Sequence, residues 1–188
     1  MTVADPDPLG AEPLAIDEGA RPAVEADLDD LVTLAHRAVD EQGQLRGGAL
    51  WARREARPVP AERSLVEALG DDERLVVVGT IDDVAVGYGV VAVEPLRDGE
   101  RLAVVEDLYV EPDGRGVGVG EAVMDLLVGH AEATDCVGID ALALPGDRHT
   151  KNFFETFHLT ARAIVVHRSL RPTAPAERAV IRPARPGP

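Results

Sequence analysis

The sequence predicts an α+β fold, with a mixed, mostly antiparallel central sheet flanked by helices. Three observations carry that prediction. Three consecutive β-prone runs, Arg74–Thr80, Val84–Val93 and Arg101–Val110, are joined by short turns at Ile81–Asp83 and Pro95–Gly99, as in an antiparallel meander. Stretches with apolar residues at helical spacing stand before and after them. From Val104 to Leu127 the chain reads strand, glycine-rich turn, helix.

The elements follow in order. Residues Met1 to about Ala20 are rich in Pro, Asp, Glu and Gly and are expected as a mobile lead-in. One domain is expected over residues 21–170. A helix starts near Asp27, which can cap it, and Leu28, Leu31, Val32, Ala35 and Val39 form its apolar stripe. Asp40–Pro60 has poor periodicity, three glycines, the single Trp51 and an Arg cluster; it reads as a loop with a short helix, of the kind that often carries binding residues. Ala61–Leu69 is a second helix, and the meander follows. In its middle strand Gly87 and Gly89 flank Tyr88, which points to a bulge or a close backbone approach. After the glycine turn, Val119, Val123, Leu126 and Leu127 recur at helical spacing. Val137–Leu144 reads as a buried strand, about His149–Phe157 as a helix, and Leu159–Leu170 as a closing strand. Residues 171–188 are Pro- and Arg-rich and are expected as an extended tail.

Composition narrows the function. Lys+Arg 19 against Asp+Glu 34 gives a net charge of −15, which argues against nucleic acid or an anionic membrane as partner. It is compatible with a cationic substrate, although a plainly solvated acidic surface accounts for it more simply. The single Cys136 makes no internal disulfide or metal cluster, and its apolar neighbours suit a buried thiol. No apolar run has the length of a membrane span, and the start lacks a signal peptide's basic and apolar regions, so a cytoplasmic protein is expected.

The glycine turn carries the chemistry. Glycines let backbone approach a ligand closely, and the helix start offers unpaired N–H groups at the positive end of its dipole. Together they make an anion site suited to phosphate. The P-loop pattern fails because Glu121-Ala122 follow Gly120, where Lys-Ser/Thr is needed. The dinucleotide pattern fails from each possible start, because its last glycine falls on Val119, Glu121 or Val123. R-x-x-G-x-G fits, with Arg115, Gly118 and Gly120. Preceded by Leu108-Tyr109-Val110-Glu111-Pro112, it resembles the acetyl-CoA motif of the GNAT N-acetyltransferase superfamily. The alternative is a plain glycine-rich β–α turn.

The resemblance runs from about Arg21 to Leu170 and is specific over Glu106–Val128. It implies a sheet splayed between the fourth and fifth strands. The pantetheine arm of acetyl-CoA, the acyl donor, would lie along the backbone of Leu108 and Val110. The pyrophosphate would sit on the N–H groups of Arg115, Gly116, Val117, Gly118, Val119 and Gly120. The Leu108 N–H would polarise the thioester carbonyl. Glu106, two residues earlier, is the candidate general base, or else a structural ion pair; strand alternation places Asp107 on the opposite face. Trp51 either walls the acceptor pocket or anchors its loop. Lys151–Leu159 resembles the family's second cofactor motif, with Phe154 where a Tyr is common. Phe154 has no proton for the departing thiolate. His149 and His158 are candidate donors, or polar residues flanking a helix.

The implied activity is transfer of acetyl from acetyl-CoA to a primary amine of a small molecule or peptide, without a metal, in a protein that could form a homodimer. The other reading is an acyl-CoA-binding sensor or interaction module without turnover, favoured by Phe154. A nucleotide-binding protein is a weaker reading still, given the missing Lys-Ser/Thr pair.

Overall fold

The computed structural model describes residues 17–170. The expected lead-in up to residue 16 and the tail from residue 171 lie outside them. Five strands form one sheet in the order β1 (Glu18–Pro22), β2 (Arg74–Ile81), β3 (Val84–Pro95), β4 (Arg101–Val110) and β5 (Ile139–Ala141). The first four pair antiparallel, and β5 joins β4 in parallel. The expected α+β mixed sheet is therefore present. β1 takes in Glu18–Ala20, which the sequence reading assigned to the lead-in.

The helices are α1 (Leu28–Gly43), α2 (Gly48–Arg54), α3 (Glu62–Leu69), α4 (Val119–Ala133) and α5 (Arg148–Thr156). They cover both faces of the sheet. On one face, Leu31, Leu34 and Ala35 of α1 and Leu65 of α3 pack with Tyr88, Val90 and Tyr109. On the other, Val123, Met124 and Leu127 of α4 and Phe154 of α5 pack with Val77, Val91, Ala103 and Val105. Each fully buried Val or Leu contributes about 1.5–3 kcal/mol relative to exposure, so small aliphatic residues suffice for the core despite few aromatics.

The start of α4 lies very close to the sheet, and glycines make that possible. A Cβ on Gly89 would stand 2.7 Å from Val123 Cγ1, and one on Gly79 would stand 2.6 Å from Val119 Cγ1. The close approach expected at Gly89 is thus an approach by a helix. It fixes the height of the α4 N-terminus above the sheet.

Four expectations need correction. Asp27 does not cap α1 with its side chain. It closes a short 3-10 turn (Glu25–Asp27), where its carboxylate accepts from the Val24 N–H at 2.8 Å and from both terminal nitrogens of Arg21 at 2.7 Å. The strand expected over Val137–Leu144 shrinks to Ile139–Ala141 and is half-buried, because β4 offers it only Ala103–Val105 as partners. Leu159–Leu170 forms no strand, and beyond Thr160 it is exposed throughout. Its β-prone composition finds no ladder within this sheet, and β-propensity expresses itself only where a neighbour supplies packing. Cys136 is half-buried beside the Thr134 hydroxyl, not fully buried.

Candidate active site

The site begins where β4 loses its second neighbour. The β4–β5 ladder covers only Ala103–Val105. From Glu106 to Val110 the β5 side of β4 is open. The Glu111 N–H donates to the Val86 carbonyl at 2.8 Å, which sets the phase of the antiparallel ladder with β3. Counting back in twos, Tyr109 bonds to β3, while the backbone groups of Leu108 and Val110 face the open side. The Val110 carbonyl is taken up by Arg115 Nε at 2.8 Å.

The chain then turns through a 3-10 segment, Pro112–Gly114, into Arg115–Gly118 and α4. Gly116 and Gly118 have φ of +79° and +107°, backbone that glycine adopts freely and other residues do not. Among the described residues, the N–H groups of Gly116, Val117, Gly118, Val119 and Gly120 donate to no protein acceptor. Five unpaired donors at the start of a fifteen-residue helix make a cradle for an anion. The Arg115 N–H differs, making a long 3.4 Å contact to the Pro112 carbonyl. Its side chain also turns away from the cradle. It pairs with Glu41 of α1 at 2.8 Å and lies over the Tyr109 ring, 5.6 Å from the centroid.

At the open end of β4 a pocket is lined by Gln42, Trp51, Glu106, Leu108, Thr150 and Phe154. Trp51, Glu106, Leu108 and Phe154, named separately from sequence, are therefore brought together. Phe154 is buried and stacks edge-on against Phe153, with centroids 5.8 Å apart. His149 and His158 are exposed and do not line the pocket. Asp147 caps α5, accepting from the Thr150 N–H at 3.0 Å and from its hydroxyl at 2.6 Å.

The pocket also contains residues that sequence reasoning missed. Asp107 and Tyr88 line it. Asp107 is not opposite Glu106 as alternation predicts. The register places Val90 against Asp107 and Val91 against Val105, so Glu106 is the extra residue of a β-bulge. The bulge resets the alternation and brings both carboxylates to the α1–α3 face. Both reach Arg57, from the loop between α2 and α3. Arg57 Nε donates to Asp107 at 2.7 Å, Nη2 bonds Asp107 and reaches Glu106 at 3.3 Å, and Nη1 donates to the Ser64 carbonyl at 3.2 Å. The Tyr88 hydroxyl donates to Asp107 at 3.1 Å. Glu106 also accepts from Arg74 of β2 at 3.2–3.4 Å. The side chains of Arg57 and Asp107 are 7% and 9% exposed, against 30% for Glu106. Burial pushes the Asp107 carboxyl up, and the Arg57 guanidinium opposes it. Burial works against the Arg57 charge, but Asp107 outweighs it and keeps the guanidinium protonated. Burial, followed by the nearby Asp107 charge, holds the Tyr88 phenol well above its ordinary value. Nothing in Val-Val-Glu-Asp-Leu announces the bulge. The scarcity of aromatics was the available signal, since Trp51, Tyr88 and Phe154 all gather at the pocket.

A mixed sheet that opens between β4 and β5, with five unpaired backbone N–H groups at the opening, defines a fold built to hold an anionic ligand against a free strand edge. The acetyltransferase (GNAT) family pattern matches residues 40–158, and the chain belongs to that family. It is an acetyltransferase by that membership. Solved structures share the fold. The aminoglycoside N-acetyltransferase AAC(6')-Iy in complex with CoA is 14% identical, with a TM-score of 0.65 over 86% of this chain and 100% of that one. Glucosamine-6-phosphate N-acetyltransferase from Arabidopsis thaliana is 17% identical, with a TM-score of 0.59 over 82% and 99%. A transcriptional regulator from Bacillus halodurans C-125 is 19% identical, with a TM-score of 0.62 over 82% and 100%. A search of curated proteins finds no match. Among the described residues, no helix is long and apolar enough to cross a membrane.

Proposed function

We propose that the protein transfers acetyl from acetyl-CoA to a primary amine by direct attack in a ternary complex. The observation that carries this reading is the row of five unpaired N–H groups, Gly116–Gly120, beside the open edge of β4. In this reading the pyrophosphate rests on that row and the pantetheine arm runs along Leu108 and the Val110 N–H. The Leu108 N–H polarises the thioester carbonyl. The acceptor enters between Trp51 and the Glu106–Asp107 wall. Glu106 is the more open carboxylate and its ion pairs are long, so it accepts the ammonium proton. The neutral nitrogen attacks the carbonyl carbon, an amide C–N bond forms and the C–S bond breaks. The nitrogen sheds its second proton as the amide forms. Phe154 cannot relay it, so water takes that proton from nitrogen and passes one to the departing thiolate, giving amide and free CoA thiol with no net change in the water.

Two carboxylates at the pocket favour an acceptor whose amine is charged in solution. A homodimer through Leu159–Leu170 belongs to the same proposal. Ile164, Val165 and Val166 are 81–90% exposed there, a poor arrangement for an isolated chain. Glu106 also lies between Arg57 and Arg74, and that observation favours the second reading, a CoA-binding module without turnover.

The test has two stages. Acetyl-CoA at about 100 times its Kd stabilises a native state it binds by about 2.7 kcal/mol, readable as a rise in Tm. Thiol release is then followed over a panel of primary amines for wild type and Glu106→Gln. Binding with turnover that the variant loses supports the transferase. Binding with no turnover on any amine supports the module, and no binding removes both.

A further inference from the structure

The most unusual side chain in the molecule is Arg57. A guanidinium that is 7% exposed is carried not by a helix or strand but by the irregular segment between α2 and α3. Its Nε and Nη2 hold Asp107, its Nη2 spans to Glu106, and its Nη1 is anchored on the Ser64 carbonyl at the first turn of α3. The planar fork meets two carboxylates and a carbonyl at once, which a lysine ammonium cannot reproduce. The same segment ends at Ala61, whose N–H donates to His36 Nε2 of α1 at 3.3 Å.

Among the described residues, the charged groups facing the pair are these. Asp107 meets Arg57 from the loop, the Tyr88 hydroxyl from β3 and Glu106 from its own strand. Glu106 meets Arg57 and Arg74, and Arg74 is shared with Asp71. Among the described residues, Arg57 is thus the one cation that bonds both pocket carboxylates, and it is itself buried. Without it, Asp107 would be a buried acid facing a phenol, and Glu106 would turn toward Arg74.

We propose that Arg57 is a positioning residue for acetyl transfer: it fixes the charge and orientation of the Glu106–Asp107 wall, and so couples that wall to the seating of the α2–α3 loop. The inference rests on the transferase reading for its consequence in catalysis. It touches no part of the acetyl-CoA cradle, so the two are separable.

The experiment compares wild type with Arg57→Ala and Arg57→Lys. Acetyl-CoA binding, measured by calorimetry, reports on the cradle and on folding, and all three proteins retain it. The Asp107 carboxyl is followed by carbon-13 NMR against pH and assigned with Asp107→Asn. In both Arg57 variants its titration moves to higher pH. On an amine that the wild type acetylates, kcat/KM falls on the order of 100-fold in Arg57→Ala, the scale of a misplaced catalytic group. The acid limb of its pH profile moves with the NMR midpoint. Millimolar guanidinium restores turnover to Arg57→Ala but not to Arg57→Lys. An unchanged Asp107 titration in both variants overturns the proposal, as does unchanged kcat/KM with an unchanged pH profile. If the wild type binds acetyl-CoA but acetylates no amine, the transferase reading falls, and the Asp107 titration alone decides the role of Arg57.

Discussion

Glu106 and Asp107 are consecutive residues of a strand, yet both bond to the same guanidinium, that of Arg57. A regular strand would send them to opposite faces. One unpaired residue in β4 converts a sequence with a lone candidate carboxylate into a pocket with two.

Gly118 is the most exacting position of the cradle. Its φ of +107° is strained for any side chain, and a Cβ would stand 3.3 Å from Glu18 Cγ. Gly118→Ala is expected to cost about 1 kcal/mol or more in chemical denaturation. The stabilisation by acetyl-CoA should disappear in the same protein. A full ligand-induced Tm shift in the variant would show that the cradle does not hold the pyrophosphate.

Gly89 tests the cradle from a distance. A methyl there would press on Val123 Cγ1 at 2.7 Å and Leu127 Cδ1 at 3.0 Å. Gly89→Ala should destabilise by about 1–3 kcal/mol through overpacking. It should also weaken acetyl-CoA binding by lifting the start of α4, although Gly89 touches no proposed ligand atom. Calorimetric titration compares it with the wild type.

Phe154 offers a gain of function. Phe154→Tyr adds a hydroxyl at the pocket wall, beside the proposed path of the departing thiolate. If thiolate protonation limits the rate, thiol release should rise on the order of tenfold or more, at the low end of general acid catalysis. A rate equal to wild type at saturating amine would assign the slow step elsewhere.

Asp27 gives a prediction about pH and folding. Arg21 chiefly, with the Val24 N–H, holds its carboxyl below the usual carboxylate value despite partial burial. Its contribution is therefore complete above the unfolded value, about 3.9, and is lost as pH falls through the lower folded value. Asp27→Asn should cost about 1 kcal/mol at neutral pH. Denaturation curves of the two proteins should converge in strong acid.

Much of the fold was legible because its signals are local. The meander, the α3 and α5 helices and the glycine turn each announce themselves within a dozen residues, and β4 falls at Arg101–Val110 as read. The glycine turn with its unpaired N–H groups was legible for the same reason, since one backbone stretch builds it. The carboxylate wall of the pocket was not. Arg57, Tyr88 and Asp107 come from a loop and two strands, and they meet only because of a bulge that no residue type marks. Leu159–Leu170 has the composition of a strand, but composition cannot say whether an edge will be there to receive it.

The two glycines beneath α4 and the irregular segment above Asp107 give the two halves of the site different mechanical standing. The glycine turn and the start of α4 are fixed to the sheet through van der Waals contact at Gly79 and Gly89 and change only if the core changes. The Glu106–Asp107 wall is held by the segment Gln44–Ala61, which carries α2 packed on α1 and bonds inward through Arg57 and the Ala61 N–H. Under the proposed function, substitution along that segment would remodel what the pocket admits while leaving the turn proposed to hold the acyl donor in place.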